Sequence, residues 1–311
     1  MTRVLVTGAA GYVGSILCEQ LLDCGYQVTG VDNLMYGEHS LFHLCENERF
    51  GFERGDGRDE QLMRRLIQDA DVLIPLAAIV GAPACDRDPL LAQSVNLEAV
   101  RSLNRLRSRD QLVVFPTTNS GYGTRSGDVT CTEETPLEPI SLYGQTKVQA
   151  EAELLASPNT ITLRLATVFG ASPRMRLDLL VNHFVYEAVT RGYIIIFEKD
   201  FRRNYIHIRD VADCMAFCIE HSAAMVGRPY NVGLDAANLT KEELALKIKE
   251  HVPRFAVHFS EVGVDPDKRD YIVSNQRLRE AGFEARRSLD AGIRELIKAY
   301  RLLGRARASN V

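Results

Sequence analysis

The stretch Val4-Leu5-Val6-Thr7-Gly8-Ala9-Ala10-Gly11-Tyr12-Val13-Gly14 decides how the rest of this chain is read. A run of branched apolar residues predicts a buried strand, and three glycines spaced three apart predict a sharp turn from it into a helix. The unpaired amides and the positive dipole end of such a helix suit the bridging phosphates of a dinucleotide. In that reading Gly8 makes the turn, Gly11 lets a ligand approach the backbone, and Gly14 lets the helix pack on the sheet, with Tyr12 and Val13 beside the phosphates. The spacing is GxxGxxG and not the commoner GxGxxG, so alone it reads equally well as a tight strand-to-helix turn.

Working outward, short apolar runs alternate with amphipathic stretches. VLVTG precedes a helix over Ser15 to Cys24, YQVTGVD and FGFERGD precede one near Arg58 to Asp69, and DVLIPLAA precedes one near Leu90 to Arg107. QLVVFPTT, a helix near Leu142 to Ala156 and TITLRLATVFG follow, the last read as a single strand. This alternation predicts an α/β fold with a Rossmann-type, doubly wound parallel sheet and right-handed crossovers. Residues 1–170 form that cofactor-binding unit. Residues 171–311 form mainly a smaller C-terminal α/β lobe for substrate, with segments near 193–235 partly rejoining the sheet domain. In that lobe Leu177 to Arg191 reads as helical, IIIF and YNVG as short strands, and FRRNYIHIRDVADCMAFCI as a strand leading into a helix. Thr240 with Glu243 three residues on is a capping-box pattern, short helices are expected at Asn275–Ala281 and Leu289–Leu303, and the tail GRARASNV reads as frayed.

The second strand strengthens the cofactor reading. It ends on Asp32, where a carboxylate can accept both hydroxyls of an adenosine ribose, with Asn33 beside it. That carboxylate would repel a 2′-phosphate, and no arginine follows in DNLMYG, so NAD is expected over NADP. Asp56 and Gly57 of GDGRD suit the adenine amino group, or an ordinary turn. After Leu76, Ala77 and Ala78 supply small side chains where a strand end passes the cofactor, or serve plain strand packing. Tyr143 and Lys147 stand four apart and so share one helix face. Using a phenolate of pKa ~10 near neutrality takes about 4 kcal/mol, which a neighbouring ammonium and a positive nicotinamide ring can supply. Tyr143 would then accept the proton of a substrate hydroxyl. Thr118 emerges at the carboxyl end of its strand, where it can hold the reacting oxygen or, with Asn119 and Ser120, cap the turn.

Composition removes other classes. The chain has 311 residues, 37 Lys+Arg against 41 Asp+Glu and a net charge of −4, so no basic footprint for nucleic acid or an anionic membrane appears. No apolar run is long enough for a membrane span, and MTRVLV runs straight into the glycines with no signal-peptide pattern. Seven cysteines without paired CxxC spacing, Cys214 and Cys218 included, read as free thiols in a reducing cytoplasm. No HxxxH or HExxH pattern exists, so no catalytic metal is expected, and His207 reads as structural.

Taken together and in this order, TGAAGYVG, Asp32, GDGRD, LAA, TTNSGYG, YGQTK and the later FRRNYIHIRDVAD resemble the extended short-chain dehydrogenase/reductase superfamily. The resemblance is nearest to its NAD-dependent nucleotide-sugar epimerase/dehydratase branch. It implies that Thr118, Tyr143 and Lys147 are the catalytic trio, that a nucleoside-diphosphate sugar binds between two lobes, and that the protein is a homodimer. It implies substrate contacts from Asn119, Ser120, Asn182, Arg203 and Arg269. Arg174 and Arg176 could add further diphosphate or sugar contacts through their planar guanidinium groups, or lie solvated at the surface. The 4,6-dehydratases and decarboxylases of that branch carry a Glu in the two positions after the catalytic Thr or Ser, and the fucose-synthase type carries a Cys at the second. Here Asn119 and Ser120 stand there, and neither titrates usefully near neutrality. A 4-epimerase needs no such group, so 4-epimerisation with NAD regenerated at each turnover is the expectation. A nucleotide-sugar reductase or dehydrogenase, a 4,6-dehydratase, and a protein that binds NAD without chemistry are the alternatives.

Overall fold

The computed structural model describes residues 1–37, 39–125, 129–261 and 270–303. The opening run forms β1 (Arg3–Thr7), buried from Val4 to Thr7 as a central parallel strand must be. Alternate residues go to opposite faces: Val4 and Val6 join one core cluster, Leu5 the other. Around it lie β2 (Gln27–Asp32), β3 (Phe50–Arg54), β4 (Val72–Pro75), β5 (Leu112–Thr118), the two-residue β6 (Thr130–Cys131), β7 (Thr160–Leu165), β8 (Thr167–Phe169), β9 (Tyr193–Phe197) and β10 (Arg202–His207). The later strands are β11 (Arg228–Val232), β12 (Asn238–Thr240), β13 (Ala256–Ser260) and β14 (Ile272–Val273). Seven of these form one parallel sheet in the order β11-β7-β5-β4-β1-β2-β3. The direction of winding reverses between β1 and β4, so a crevice opens at their carboxyl ends.

The helices are α1 (Tyr12–Asp23), α2 (Glu60–Gln68), α3 (Ala82–Arg87), α4 (Pro89–Gln93), α5 (Ala99–Leu106), α6 (Leu142–Leu155), α7 (Leu180–Thr190), α8 (Ile208–Glu220), α9 (Ser222–Met225), α10 (Lys241–His251), α11 (Gln276–Glu280) and α12 (Leu289–Leu303). Leu17 and Leu21 of α1 meet Val211 and Met215 of α8 on one face of the sheet, and α2, α5 and α6 cover the other with Met63, Leu66, Val100 and Leu154. A separate core joins Val181 and Val185 of α7, Leu244 and Ile248 of α10, and Ile293 and Leu296 of α12. The capping box of α10 forms, with the Thr240 hydroxyl accepting from the Glu243 amide at 3.1 Å and the Glu243 carboxylate accepting from the Thr240 amide at 2.8 Å.

Two sequence expectations change. The helix expected over Leu90 to Arg107 starts at Pro89 under an Asp88 cap and is divided at Ser94–Glu98, which winds as a π turn around Asn96. The amide of Asn96 is bonded to both the N–H and the C=O of Ile79, at 2.8 and 2.9 Å. TITLRLATVFG is two strands. β11 ends beside Leu165, so the sheet offers no partner beyond it, and Thr167 to Phe169 pair instead with Tyr205 to His207 of β10. Of the segments in 193–235, β11 joins the large sheet, whereas β9 pairs with β13 and β10 with β8 and β12. The frayed tail lies outside the described residues.

Candidate active site

The glycine turn opens a cavity of about 560 Å³ at the β1/β4 crevice. Gly8 has φ +72°, and a Cβ there would stand 2.7 Å from the Ala77 nitrogen. A Cβ on Gly14 would stand 2.2 Å from the Gly8 carbonyl oxygen, so Gly14 serves the turn's own backbone and not helix-to-sheet packing. Gly11 caps α1 without a side chain, leaving its first amides facing the cavity that Gly8, Gly11, Tyr12, Val13 and Gly14 line.

At one end of the cavity the Asp32 carboxylate accepts from the amides of Ala10 at 3.0 Å and Leu34 at 2.8 Å, which fixes its orientation. Burial pushes its pKa up, and those two amides and the Arg174 charge oppose the rise. Asn33 donates to Asp56 at 3.2 Å, and Arg58 grips the Asp56 carboxylate at 2.9 and 2.7 Å, holding that acid down to about 2. Gly57, Leu76, Ala77 and Ala78 complete this wall.

At the other end, β5 delivers Thr118, and the Ser141 hydroxyl caps α6 so that Tyr143 sits in its first turn. Thr118 Oγ1 lies 2.8 Å from Ser120 Oγ and accepts from the Ser120 amide at 3.1 Å. Lys147 is buried with its Nζ 4.0 Å from the centre of the Phe115 ring, and desolvation lowers its pKa to about 7 against the pull of Glu151. Thr118, Ser120, Tyr143 and Lys147 all line the one cavity. Amides at a helix start, an oriented carboxylate, backbone contacts with no room for a Cβ and a buried ammonium together fit a dinucleotide of the NAD type.

Several sequence-derived substrate contacts fall elsewhere. Asn182 is fully buried and spends its amide inside the protein: it accepts from Gly170 N at 3.0 Å and donates to Tyr12 Oη at 3.2 Å and to Arg176 O at 2.9 Å. It lies outside the cavity lining. Asn119 is buried beneath the strand end, outside the cavity lining, and its side chain has no hydrogen-bond partner among the described residues. Arg203 of β10 is buried and lines the cavity, and Arg269 lies outside the described residues. Arg174 lines the cavity too, but near Asp32. His207 caps α8 and contacts Glu295 at 3.0 Å, a structural arrangement.

The sequence reading missed Tyr36, Arg58, Lys241 and Tyr271, all of which line the cavity. Lys241 carried a signal: it opens α10, where the helix dipole disfavours a cation, and it is buried with its Nζ donating to Phe197 O at 2.9 Å.

The chain matches the model of the NAD dependent epimerase/dehydratase family over residues 4–233. It is 31% identical over 317 residues to a UDP-glucose 4-epimerase of Mycolicibacterium smegmatis, covering 96% of this chain and 98% of the relative. Among solved structures, a Thermus thermophilus UDP-glucose 4-epimerase in complex with NAD superposes with a TM-score of 0.82 at 25% identity, covering 98% of this chain and 100% of that one. A Bacillus anthracis dTDP-glucose 4,6-dehydratase in complex with NAD superposes with a TM-score of 0.84 at 20% identity, covering 98% of both chains. Epimerase and dehydratase thus share this fold, and the fold alone does not choose between the reactions.

Proposed function

The chain belongs to the NAD dependent epimerase/dehydratase family, and from that premise we propose that it is a nucleotide-sugar 4-epimerase, with residues 1–170 carrying NAD and 171–311 mainly the substrate. One observation carries the choice of reaction: beside Thr118 the cavity presents the Ser120 hydroxyl, 2.8 Å from Thr118 Oγ1, where an eliminating enzyme needs a titrating acid. Tyr143 takes the proton of the sugar's 4-hydroxyl and later returns it, with the Lys147 ammonium stabilising the phenolate. Held against Gly8, Gly11 and Asp32, NAD would supply a hydride acceptor for C4 and the donor that returns it. Turning the 4-keto sugar between the two events exposes its other face. The Thr118 hydroxyl accepts the Ser120 amide hydrogen, and with the Ser120 hydroxyl donating across their 2.8 Å contact the Thr118 proton is left for the reacting oxygen. Arg203 and Lys241 supply positive charge for the sugar's diphosphate.

The test is incubation of the protein with UDP-, GDP-, CDP- and dTDP-sugars in deuterated buffer. Expected is interconversion of one 4-epimer pair without net NADH and without solvent deuterium in the product. A 4-keto-6-deoxy product carrying deuterium would assign a dehydratase instead. Tyr143→Phe should abolish turnover while NAD stays bound. The homodimer belongs to the same reading and is checked by sedimentation. So does a reducing cytoplasm, which the free thiols support. No described helix is long and apolar enough to cross a membrane.

A further inference from the structure

The segment between β8 and α7 is stapled to the start of α1. The Tyr12 hydroxyl donates to Gly170 O at 2.7 Å, the Ser172 hydroxyl donates to Tyr12 O at 2.8 Å, and the hydroxyls of Ser15 and Ser172 lie 3.0 Å apart. These bonds fold the segment over the turn that receives the dinucleotide's phosphates. Arg174 then reaches past that turn towards the adenosine side. Its Cζ stands 5.1 Å from the centre of the Tyr36 ring, and Tyr36 follows β2 close to Asp32. The next arginine, Arg176, is committed differently: its Nε donates to Asp178 at 3.1 Å.

Charge explains why a cation is placed there. The dinucleotide carries two negative charges on its bridging phosphates, and the first turn of α1 holds no charged side chain that would face them. Asp32 adds a third negative charge at the ribose end. Arg174, carried by a different part of the fold, sits where it can offset both, held by its Nη1, which donates to Met175 O, and by its approach to the Tyr36 ring.

We propose that Arg174 is a cofactor clamp: its guanidinium, backed by Tyr36, closes over the adenosine ribose and adjoining phosphate of bound NAD, and it does not serve the sugar nucleotide. A clamp here slows cofactor escape, which suits an enzyme that reuses one NAD at every turnover. The inference rests on the cofactor and not on the sugar or the reaction, so it stands or falls separately from the epimerase reading.

The experiment is exchange of bound NAD in the full-length protein. Wild type, Arg174→Gln, Arg174→Lys and Tyr36→Leu, loaded with NAD, are mixed with excess nicotinamide-deuterated NAD, and the bound pool is followed by mass spectrometry. Expected is an off-rate about tenfold faster for Arg174→Gln and about threefold faster for Arg174→Lys and Tyr36→Leu, since losing a charge contact acts mainly through dissociation. The KM for the sugar nucleotide at saturating NAD should stay within about twofold of wild type. Unchanged exchange in the folded variants overturns the proposal, as does a raised KM with unchanged exchange, which would return Arg174 to the sugar. If Arg174→Gln fails to fold, Arg174→Lys and Tyr36→Leu decide by the same readout.

Discussion

Replacing Lys147 by methionine should stabilise the cofactor-free protein while ending turnover. The ammonium is 4% exposed, and burial moves its pKa from 10.5 to about 7. The unfolded chain keeps this lysine protonated up to about pH 10.5, so the folded protein carries a destabilising charge at lower pH. The penalty begins as pH falls below about 10.5, grows until about 7 and is constant below that. The gap between 10.5 and about 7 corresponds to about 5 kcal/mol at ~1.36 kcal/mol per pKa unit. Methionine keeps most of the volume against Phe115 and removes the charge. The assay is urea unfolding of NAD-stripped wild type and Lys147→Met from about pH 6 to about pH 9. The variant should be more stable by several kcal/mol at the acid end, with the margin shrinking as pH rises. A variant less stable than wild type, or a margin that ignores pH, would show that the ammonium is solvated and refute the argument. Such a residue is retained for function at the expense of the fold.

Two further outcomes follow from buried contacts. Gly14→Ala puts a Cβ 2.2 Å from the Gly8 carbonyl oxygen and 2.7 Å from that of Ala9, backbone atoms that move only if the phosphate turn moves. It should lower stability by about 1–3 kcal/mol and strip the purified protein of NAD, read by thermal melting and cofactor content; unchanged NAD content would contradict it. Arg164→Met strips the Glu151 carboxylate, 3% exposed and bonded to Arg164 at 2.6 and 2.9 Å, of its hydrogen-bonded cation and leaves only the Lys147 charge to oppose it. A loss of about 3–5 kcal/mol near neutrality is expected in urea unfolding, largely restored by adding Glu151→Gln, and a loss below about 1 kcal/mol would mean that water reaches the carboxylate.

The sheet domain was legible because its signals are local. A strand run followed by spaced glycines, an acid at the next strand end, and a tyrosine and lysine one helical turn apart are patterns of residue type and spacing, and each appears in the lining of one cavity. The substrate side was less legible. Asn182 looked like a ligand by its place in the chain, yet the approach of Gly170, Tyr12 and Arg176 consumes its amide. Lys241 follows the cap of α10, where nothing in the local pattern shows that it is buried against the cavity.

By itself the sequence determined the strand-helix alternation, the phosphate turn and the Tyr143/Lys147 face, because backbone sterics and helical periodicity act over a few residues. Only the tertiary structure decided that Thr160–Phe169 divides between two sheets, that Arg174 stands beside Asp32 and Tyr36, and that Asn182 faces inward. The physical reason is that a long polar side chain takes its role from whatever distant charges and donors the fold brings within a few ångströms, and spacing along the chain does not encode that distance.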